Sequence, residues 1–400
     1  MKNIIVVLQA SSRSWSGGAD LCMNLMEGRT VLANTLGRVL SGLPFCISGT
    51  YLIAPEFDRG GMDFLLKDFP DLKISYGYDS SPLLRMLAII REMNDEDYVL
   101  RINGINFCVD LLAAGQMLEL VDSQYYDCIK FPDDFPALFT CDLYGVRGLR
   151  KMQDELSNVD PIYHVHPKYY MSIHERYSCL VLKPNLTSYT DNYLQSARKK
   201  YSDSMHAKRI EVDGRNAIVA GDSIVLHYEL ARNYIAGKDI VLDMACGDGF
   251  GSNILVGSAG KVVGVDLDSA AIEQAKRTFF SDDAEFIQCD VLNMPYENEF
   301  DVIAAFEIIE HVPPVAFLRS VFRALKAGGL LLLSTPQNSL GHIPTTSDHI
   351  REYSLSEIET VVDSYFEIEK IIGIKQGCVY FDGDPVGSNT FLVARKRTFV

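Results

Sequence analysis

The run Ile240-Val241-Leu242-Asp243-Met244-Ala245-Cys246-Gly247-Asp248-Gly249-Phe250-Gly251 decides the fold. Its apolar start reads as a buried strand, Asp243 stands near the strand's end, and a glycine turn leads into helix-capable sequence. A parallel strand feeding such a turn brings backbone N–H groups and a helix N-terminus toward a ligand. The three alternate glycines are expected to leave room for that ligand against bare main chain. The spacing is G-x-G-x-G with an acid four residues upstream. The dinucleotide form, G-x-G-x-x-G, has a longer second gap and needs no such acid. A carboxylate here repels a pyrophosphate and suits a ligand that is positively charged at that end.

Downstream, Lys261–Val265 reads as a second strand ending in Asp266, with the helix-like Ser269–Lys276 behind it. Asp266 lies 23 residues after Asp243, where a carboxylate can accept hydrogen bonds from ribose hydroxyls. Ala284–Cys289 is a third strand with Asp290 at its end, placed to read an adenine amino group. Phe300–Ala305 then leads into Phe306-Glu307-Ile308-Ile309-Glu310-His311, and Leu325–Gly329 turns into the strand Leu330–Ser334. This succession closely resembles the class I S-adenosylmethionine-dependent methyltransferases over about residues 206–400, with five elements matching in order. The resemblance implies S-adenosyl-L-methionine as cofactor. Asp243, Ala245, Gly247, Gly249 and Gly251 would hold its methionine end, Asp266 its ribose, and Leu267 and Asp290 its adenine, with Val291 and Phe306 completing the pocket.

The whole chain sets further bounds. Its 400 residues suggest two domains, and 48% apolar residues give ample material for packed cores. A net charge of −16 argues against a nucleic-acid partner. The nine cysteines are scattered and include no C-x-x-C pair, the pattern of reduced thiols, so the expected location is the cytoplasm. The apolar run at Ile4–Leu8 is too short for a signal peptide, and no stretch reaches membrane length. A homodimer is compatible with all of this.

From the start, strands at Ile4–Leu8, Tyr51–Ala54 and Tyr98–Ile102 alternate with helices at Val31–Leu40 and Leu83–Met93, the pattern of a doubly wound α/β domain over residues 1–155. The fold class expected is therefore α/β, with two doubly wound Rossmann-like domains, the second built on a seven-stranded methyltransferase sheet. Gln9-Ala10, Tyr78–Arg85 and Arg101–Asp110 resemble the cytidylyltransferase-like family that includes spore coat polysaccharide proteins. In active members the first loop is rich in Arg and Lys, and an Arg-Ile-x-Gly segment continues into a magnesium-holding aspartate. This chain keeps only Arg13 before Arg29, places Asp20 about where a lysine is expected, and has Ile105 for the aspartate. Phosphoryl chemistry depends on cationic stabilisation, so this half reads as a degenerate, catalytically silent version, able at most to bind a nucleotide-linked sugar.

Residues 156–205 read as a connector, in which His164-Val-His166 could set two imidazoles on one strand face, although no acid nearby completes a metal site. Asp222–Ala236 reads as a helix, with His227 and Tyr228 as its polar exceptions facing substrate. A helix after Phe306 carries Glu307, Glu310 and His311. His311 is the candidate base, because histidine titrates near neutrality, and Glu307 lies on the substrate side. A glutamate–histidine metal site is the minor reading, and the expectation is no metal. Gly341–Ser347 reads as a flexible lid. After it come Asp348–Ser354 and a helix capped by Ser356; the His349-x-Arg351-Glu352-Tyr353 element resembles methyltransferases of polysaccharide gene clusters, which implies that His349 and Arg351 sit at the acceptor pocket. The reading is a methyltransferase acting on an oxygen of a sugar nucleotide, sugar phosphate or surface-glycan intermediate. A bifunctional nucleotidyltransferase–methyltransferase and a non-catalytic cofactor-binding scaffold are the alternatives.

Overall fold

Four consecutive buried residues, Ile5–Leu8, put β1 (Ile4–Gln9) in the middle of a sheet. The computed structural model describes residues 2–13, 19–43, 47–155, 160–205, 207–208, 224–279, 281–341 and 343–397. The chain divides into two units, Met1–Ala220 and Gly221–Val400. In the first, β1 is followed by the short pair β2 (Leu25–Met26) and β3 (Arg29–Thr30), then α1 (Val31–Gly42), β4 (Gly49–Ala54), β5 (Lys73–Tyr76), α2 (Pro82–Ile89), β6 (Tyr98–Asn103), α3 (Leu111–Ser123), β7 (Cys128–Lys130), β8 (Asp142–Gly145) and α4 (Val146–Glu155). The chain continues through α5 (Pro161–Val165), α6 (Pro167–Ile173), β9 (Cys179–Val181) and α7 (Asp191–Met205). The strand order is β5-β4-β1-β6-β8-β7-β9.

This sheet is mixed rather than wholly parallel. The strands β5, β4, β1 and β6 are parallel, but β8 runs antiparallel to both β6 and β7. The supposed connector also differs: β9 pairs with β7, so residues from 156–205 complete the first unit's sheet. Its two histidines do not share a strand face. His164 sits on α5 with Nδ1 3.1 Å from Ser81 Oγ, whereas His166 is the buried residue between α5 and α6. Pro161 and Pro167 explain this, since each starts a short helix and cannot serve inside a central strand. The expected boundary at residue 206 lies outside the described residues.

The second unit runs α8 (Val225–Ala231), β10 (Ile240–Met244), α9 (Phe250–Val256), β11 (Lys261–Asp266), α10 (Ser269–Thr278), β12 (Ala284–Gln288), β13 (Phe300–Phe306), α11 (Pro314–Ala324), β14 (Leu325–Pro336), α12 (Leu355–Asp363), β15 (Phe366–Lys375), β16 (Val379–Tyr380) and β17 (Asn389–Lys396). The order is β12-β11-β10-β13-β14-β17-β15-β16, parallel through β14, with β17 inserted antiparallel between β14 and β15. The two-residue β16 makes this an eight-stranded sheet where seven were expected. Both faces are covered. Leu242, Met244, Ile303, Ala305, Leu331 and Leu333 pack with Phe317, Val321 and Ile358 of α11 and α12. The alternate residues Val241, Val302, Ala304 and Leu332 pack with Tyr228, Ala231 and Leu255 of α8 and α9. That two-sided burial is why these strands are near-continuous apolar runs.

The helix expected over Asp222–Ala236 is shorter, since α8 ends at Ala231 and passes into a single 3-10 turn, Arg232–Tyr234. The cap of α12 is Ser354 rather than Ser356. Glu357 closes a capping box, accepting from the Ser354 N–H at 2.9 Å, because the turn from Tyr353 leaves that residue's N–H as the orphan. Among the described residues no helix is long and apolar enough to cross a membrane.

Candidate active site

Beyond β10 the backbone turns left-handed at Ala245 (φ 58°), Gly247 (φ 55°) and Gly249 (φ 84°), the last capping α9. The three glycines are small for different reasons. A Cβ on Gly247 would meet nothing within 4 Å. On Gly249 it would lie 2.8 Å from Ala275 Cβ and Phe286 Cε1, and on Gly251 only 1.9 Å from Tyr228 Cζ. The expectation that all three present bare main chain to a ligand is therefore corrected. Gly247 alone borders open space, while Gly249 and Gly251 let α10, β12 and Tyr228 close on the turn.

Carboxylates stand at the tips of three adjacent parallel strands. Asp243 is fully buried and accepts hydrogen bonds from Ser252 Oγ at 2.6 Å and Tyr228 Oη at 3.2 Å. Burial outweighs those two donors and pushes its carboxyl up to about 7. Asp266 accepts from the Gly247 N–H at 2.9 Å and the Asp268 N–H at 2.8 Å, so the tip of β11 braces the glycine turn. Asp290 accepts from the Leu292 N–H at 2.9 Å and Asn293 Nδ2 at 2.7 Å. Beside Asp266, Leu267 is 70% exposed, an apolar side chain standing in water at a strand tip, while Val291 is buried. Open space over Gly247, a carboxylate with lone pairs to share and an apolar cover suit a nucleoside bearing hydroxyls and a flat base.

Tyr228 and His227, expected to face substrate, are both buried. Tyr228 stands edge-on to Phe306, with ring centroids 4.9 Å apart, and its hydroxyl serves Asp243, so it positions the turn. His227 Nε2 lies 3.8 Å from Glu307 Oε1, and its ring is 6.0 Å from that of Phe306. Glu307 follows β13 in left-handed backbone (φ 53°) and accepts from Ser334 Oγ at 2.8 Å and Asn389 Nδ2 at 2.9 Å. Burial first, and then Glu310, push its carboxyl up to about 8. A non-glycine residue held left-handed at a strand end stores strain of about 1–3 kcal/mol, a cost found concentrated at functional sites.

The helix expected after Phe306 is one 3-10 turn, Ile309–His311, since Pro313 and Pro314 allow α11 to start only beyond it. Glu310 is fully buried, accepts from Thr335 Oγ1 at 2.9 Å, and has a second oxygen without a hydrogen-bond partner. Burial pushes it up to about 7. His311 is exposed, with Nδ1 3.0 Å from the Asp348 carbonyl oxygen. A carbonyl only accepts, so Nδ1 is the donor here and Nε2 is the nitrogen left to accept a proton. The His349 ring stands edge-on to His311 at 4.8 Å, and its Nδ1 is 2.7 Å from Glu352 Oε1. Glu310, His311 and His349 each offer one ligand atom within 4.8 Å of the others, a set able to hold a cation. Arg351 is turned to Glu357 at 2.6 Å and lies over the Tyr353 ring.

Sequence reasoning gave no role to Glu352, which organises this edge. Nearly fully buried, it accepts from the Thr345 N–H at 3.0 Å, Thr345 Oγ1 at 3.1 Å and Asn338 Nδ2 at 2.9 Å, besides meeting His349. The segment read as a flexible lid is thus pinned at Thr345. Ser252 and Asn389 were missed as well. A serine directly after the last glycine was the available signal for Ser252, whereas nothing local marks Asn389, which reaches Glu307 from a strand 82 residues on.

A family model described as a methyltransferase domain matches residues 235–372. The "Probable S-adenosylmethionine-dependent methyltransferase" of Mycolicibacterium smegmatis is 31% identical over 156 residues, covering 38% of this chain and 60% of that protein. A Mycobacterium tuberculosis protein named in the same way is 30% identical over 144 residues, 34% of this chain and 52% of its own length. The ubiquinone biosynthesis O-methyltransferase of Psychrobacter arcticus is 34% identical over 116 residues, 27% of this chain and 45% of its own. The chain therefore spans about half the length of the curated relatives it matches. Residues 235–372, which the methyltransferase-domain model matches, hold the acid–glycine turn and the three strand-tip carboxylates.

Proposed function

We propose that the second unit transfers the methyl group of S-adenosyl-L-methionine to an oxygen of a carbohydrate-type acceptor, a sugar nucleotide, sugar phosphate or surface-glycan intermediate. The observation that carries this reading is the open space over Gly247 flanked by the carboxylates of β10, β11 and β12. When bound, the cofactor supplies a methyl group already activated on a sulfonium. Asp266 holds the ribose hydroxyls, Leu267 covers the adenine, Asp290 accepts from its amino group, and Asp243 supplies negative charge behind the turn. Orientation provides much of the rate, because an in-line attack needs little from the protein beyond a held nucleophile. His311 Nε2 takes the acceptor's hydroxyl proton, and His349, held by Glu352, lines the same edge.

The carbohydrate acceptor rests on the resemblance of both halves to surface-polysaccharide proteins. In the first unit, Asp20 caps a 3-10 turn by accepting from the Cys22 N–H at 2.8 Å, and Ile105 stands where a metal ligand would be, which supports a catalytically silent fold. A second reading, in which a divalent cation on Glu310, His311 and His349 activates the hydroxyl, is favoured by their clustering. The test is S-adenosylhomocysteine production from a panel of sugar nucleotides and glycan fragments. With His311→Ala turnover falls about 10²–10⁴-fold at unchanged cofactor affinity. Unchanged turnover removes His311 as the base, and loss of wild-type turnover on chelation selects the cation.

A further inference from the structure

The first unit's sheet ends on β9, an edge strand of three residues with no fully buried side chain. It runs parallel to β7 in the register Cys128↔Cys179, Ile129↔Leu180 and Lys130↔Val181. Hydrogen bonds fix this register at both ends. The Asp127 N–H donates to the Ser178 carbonyl at 2.8 Å, the Ser178 N–H to Asp127 Oδ2 at 2.8 Å, and the Leu182 N–H to the Lys130 carbonyl at 2.8 Å. Two cysteines distant in sequence therefore stand directly opposite each other on adjacent strands. Opposed residues of a ladder point to the same face of the sheet. Both belong to one apolar cluster, Cys128 within it and Cys179 packed against it.

Neighbouring strands lie about 4.7–4.9 Å apart, inside the Cα separation of roughly 4.4–6.8 Å that a disulfide spans. Burial divides the roles of the two thiols. Cys128 is 1% exposed, and its enclosure raises it well above the ordinary thiol value, so it stays protonated. Cys179 is half-buried, and the hydrogen bond from Cys128 lowers it, with Lys130 acting the same way against burial and Asp127. Among the described residues every other cysteine is pushed upward by burial. The pair thus sets a reachable nucleophile in front of a second thiol, the arrangement in which one sulfur is oxidised first and its neighbour resolves it.

We propose that Cys179 and Cys128 close a reversible disulfide when the protein meets hydrogen peroxide, and that this bond locks β9 onto β7. The Cys179 thiolate attacks one peroxide oxygen, so that an S–O bond forms, the O–O bond breaks and hydroxide leaves. The Cys128 sulfur then attacks the oxidised sulfur. The S–S bond forms, the S–O bond breaks, and the hydroxyl departs as water with the Cys128 proton. The two thiols lose two electrons and two protons, and the peroxide takes them up as two waters. A dithiol returns the electrons and reopens the pair. The consequence is mechanical. A three-residue edge strand belongs to the part of a sheet that opens most readily, and a covalent bond closing a loop of about 50 residues removes that freedom. Because β9 follows α5 and α6, the lock ties the stretch expected to be a connector to the sheet. The inference is independent of methyl transfer, since every residue named belongs to the first unit.

The test exposes the fully reduced full chain to a small excess of hydrogen peroxide, alkylates the remaining thiols and maps the tryptic peptides. The expected product is a linked pair of peptides carrying Cys128 and Cys179. It should form ahead of oxidation at Cys289 and Cys378, the other half-buried cysteines among the described residues, and disappear on treatment with dithiothreitol. Hydrogen exchange at the Leu182 amide, which bonds to Lys130 across the ladder, should slow about tenfold or more in the oxidised protein. In Cys128→Ser, peroxide should leave a sulfenic acid on Cys179 that dimedone traps, whereas in Cys179→Ser the thiol of Cys128 should survive. Absence of the linked pair, oxidation of Cys289 or Cys378 as fast or faster, a pair that dithiothreitol does not reopen, or unchanged exchange at Leu182 would each overturn the proposal. The wild-type measurements decide it even if a variant does not fold.

Discussion

Asp243 offers a quantitative test, because its carboxyl is fully enclosed and lifted to about 7, inside the working pH range. If a positively charged ligand needs the ionised form, binding must first remove a proton wherever the free protein holds one. The apparent dissociation constant is then multiplied by 1 + 10^(pKa − pH), about 11 at pH 6 and about 1.1 at pH 8, so the cofactor should bind about tenfold more weakly at pH 6. Folding responds in the opposite sense. The unfolded carboxyl ionises near 3.9, so the ligand-free unit loses stability as pH rises from about 4 to about 7, at roughly 1.4 kcal/mol per pH unit from this residue alone. Titration calorimetry with S-adenosylmethionine at pH 6, 7 and 8 measures the first effect. Asp243→Asn provides the control, since it leaves Glu307 and Glu310 to titrate but cannot ionise at position 243. The variant should bind weakly with a flat profile over that range. Equal wild-type affinity at pH 6 and pH 8, or the same slope in Asp243→Asn, would refute the role of this charge.

Other substitutions separate packing from binding. Gly251→Ala forces a Cβ into the Tyr228 ring and should lower the melting temperature by an amount corresponding to about 1–3 kcal/mol. Gly247→Ala meets no atom, so calorimetric scanning should show only the strain of its positive φ, roughly 1 kcal/mol, while cofactor affinity falls because the methyl group enters the ligand's space. Glu352→Gln removes the charge that His349, Thr345 and Asn338 share. Turnover should drop, stability should fall by about 1–3 kcal/mol, and cofactor affinity should be unchanged.

The strand-tip arrangement was legible because it is local. The strands β10 and β11 are short apolar runs with an acid at or next to the end, and run and acid are read together in one window. What escaped depends on contacts distant in sequence. The roles of Gly249 and Gly251 rest on Phe286 and Tyr228, neither of which the motif mentions. Asn389 meets Glu307 only because β17 inserts beside β14. The polar segment Gly341–Ser347 looked like a lid by composition, but its backbone is pinned by Glu352, an acid given no part in that reading. Ser354 and Ser356, two apart, offer the same local cap signal, and only the box closed by Glu357 separates them. Short strands, such as the three-residue β9, carry too little periodicity to be told from a linker.

The central claim is that the tip of β11 holds a nucleoside cofactor over Gly247. The most direct measurement is titration calorimetry of the full chain with S-adenosylhomocysteine, comparing wild type with Asp266→Ala. Saturable one-site heat in the wild type, weakened about tenfold or more in the variant, is the result expected when a charged hydrogen-bond acceptor is lost. No heat in the wild type, or equal affinity in Asp266→Ala, would contradict it.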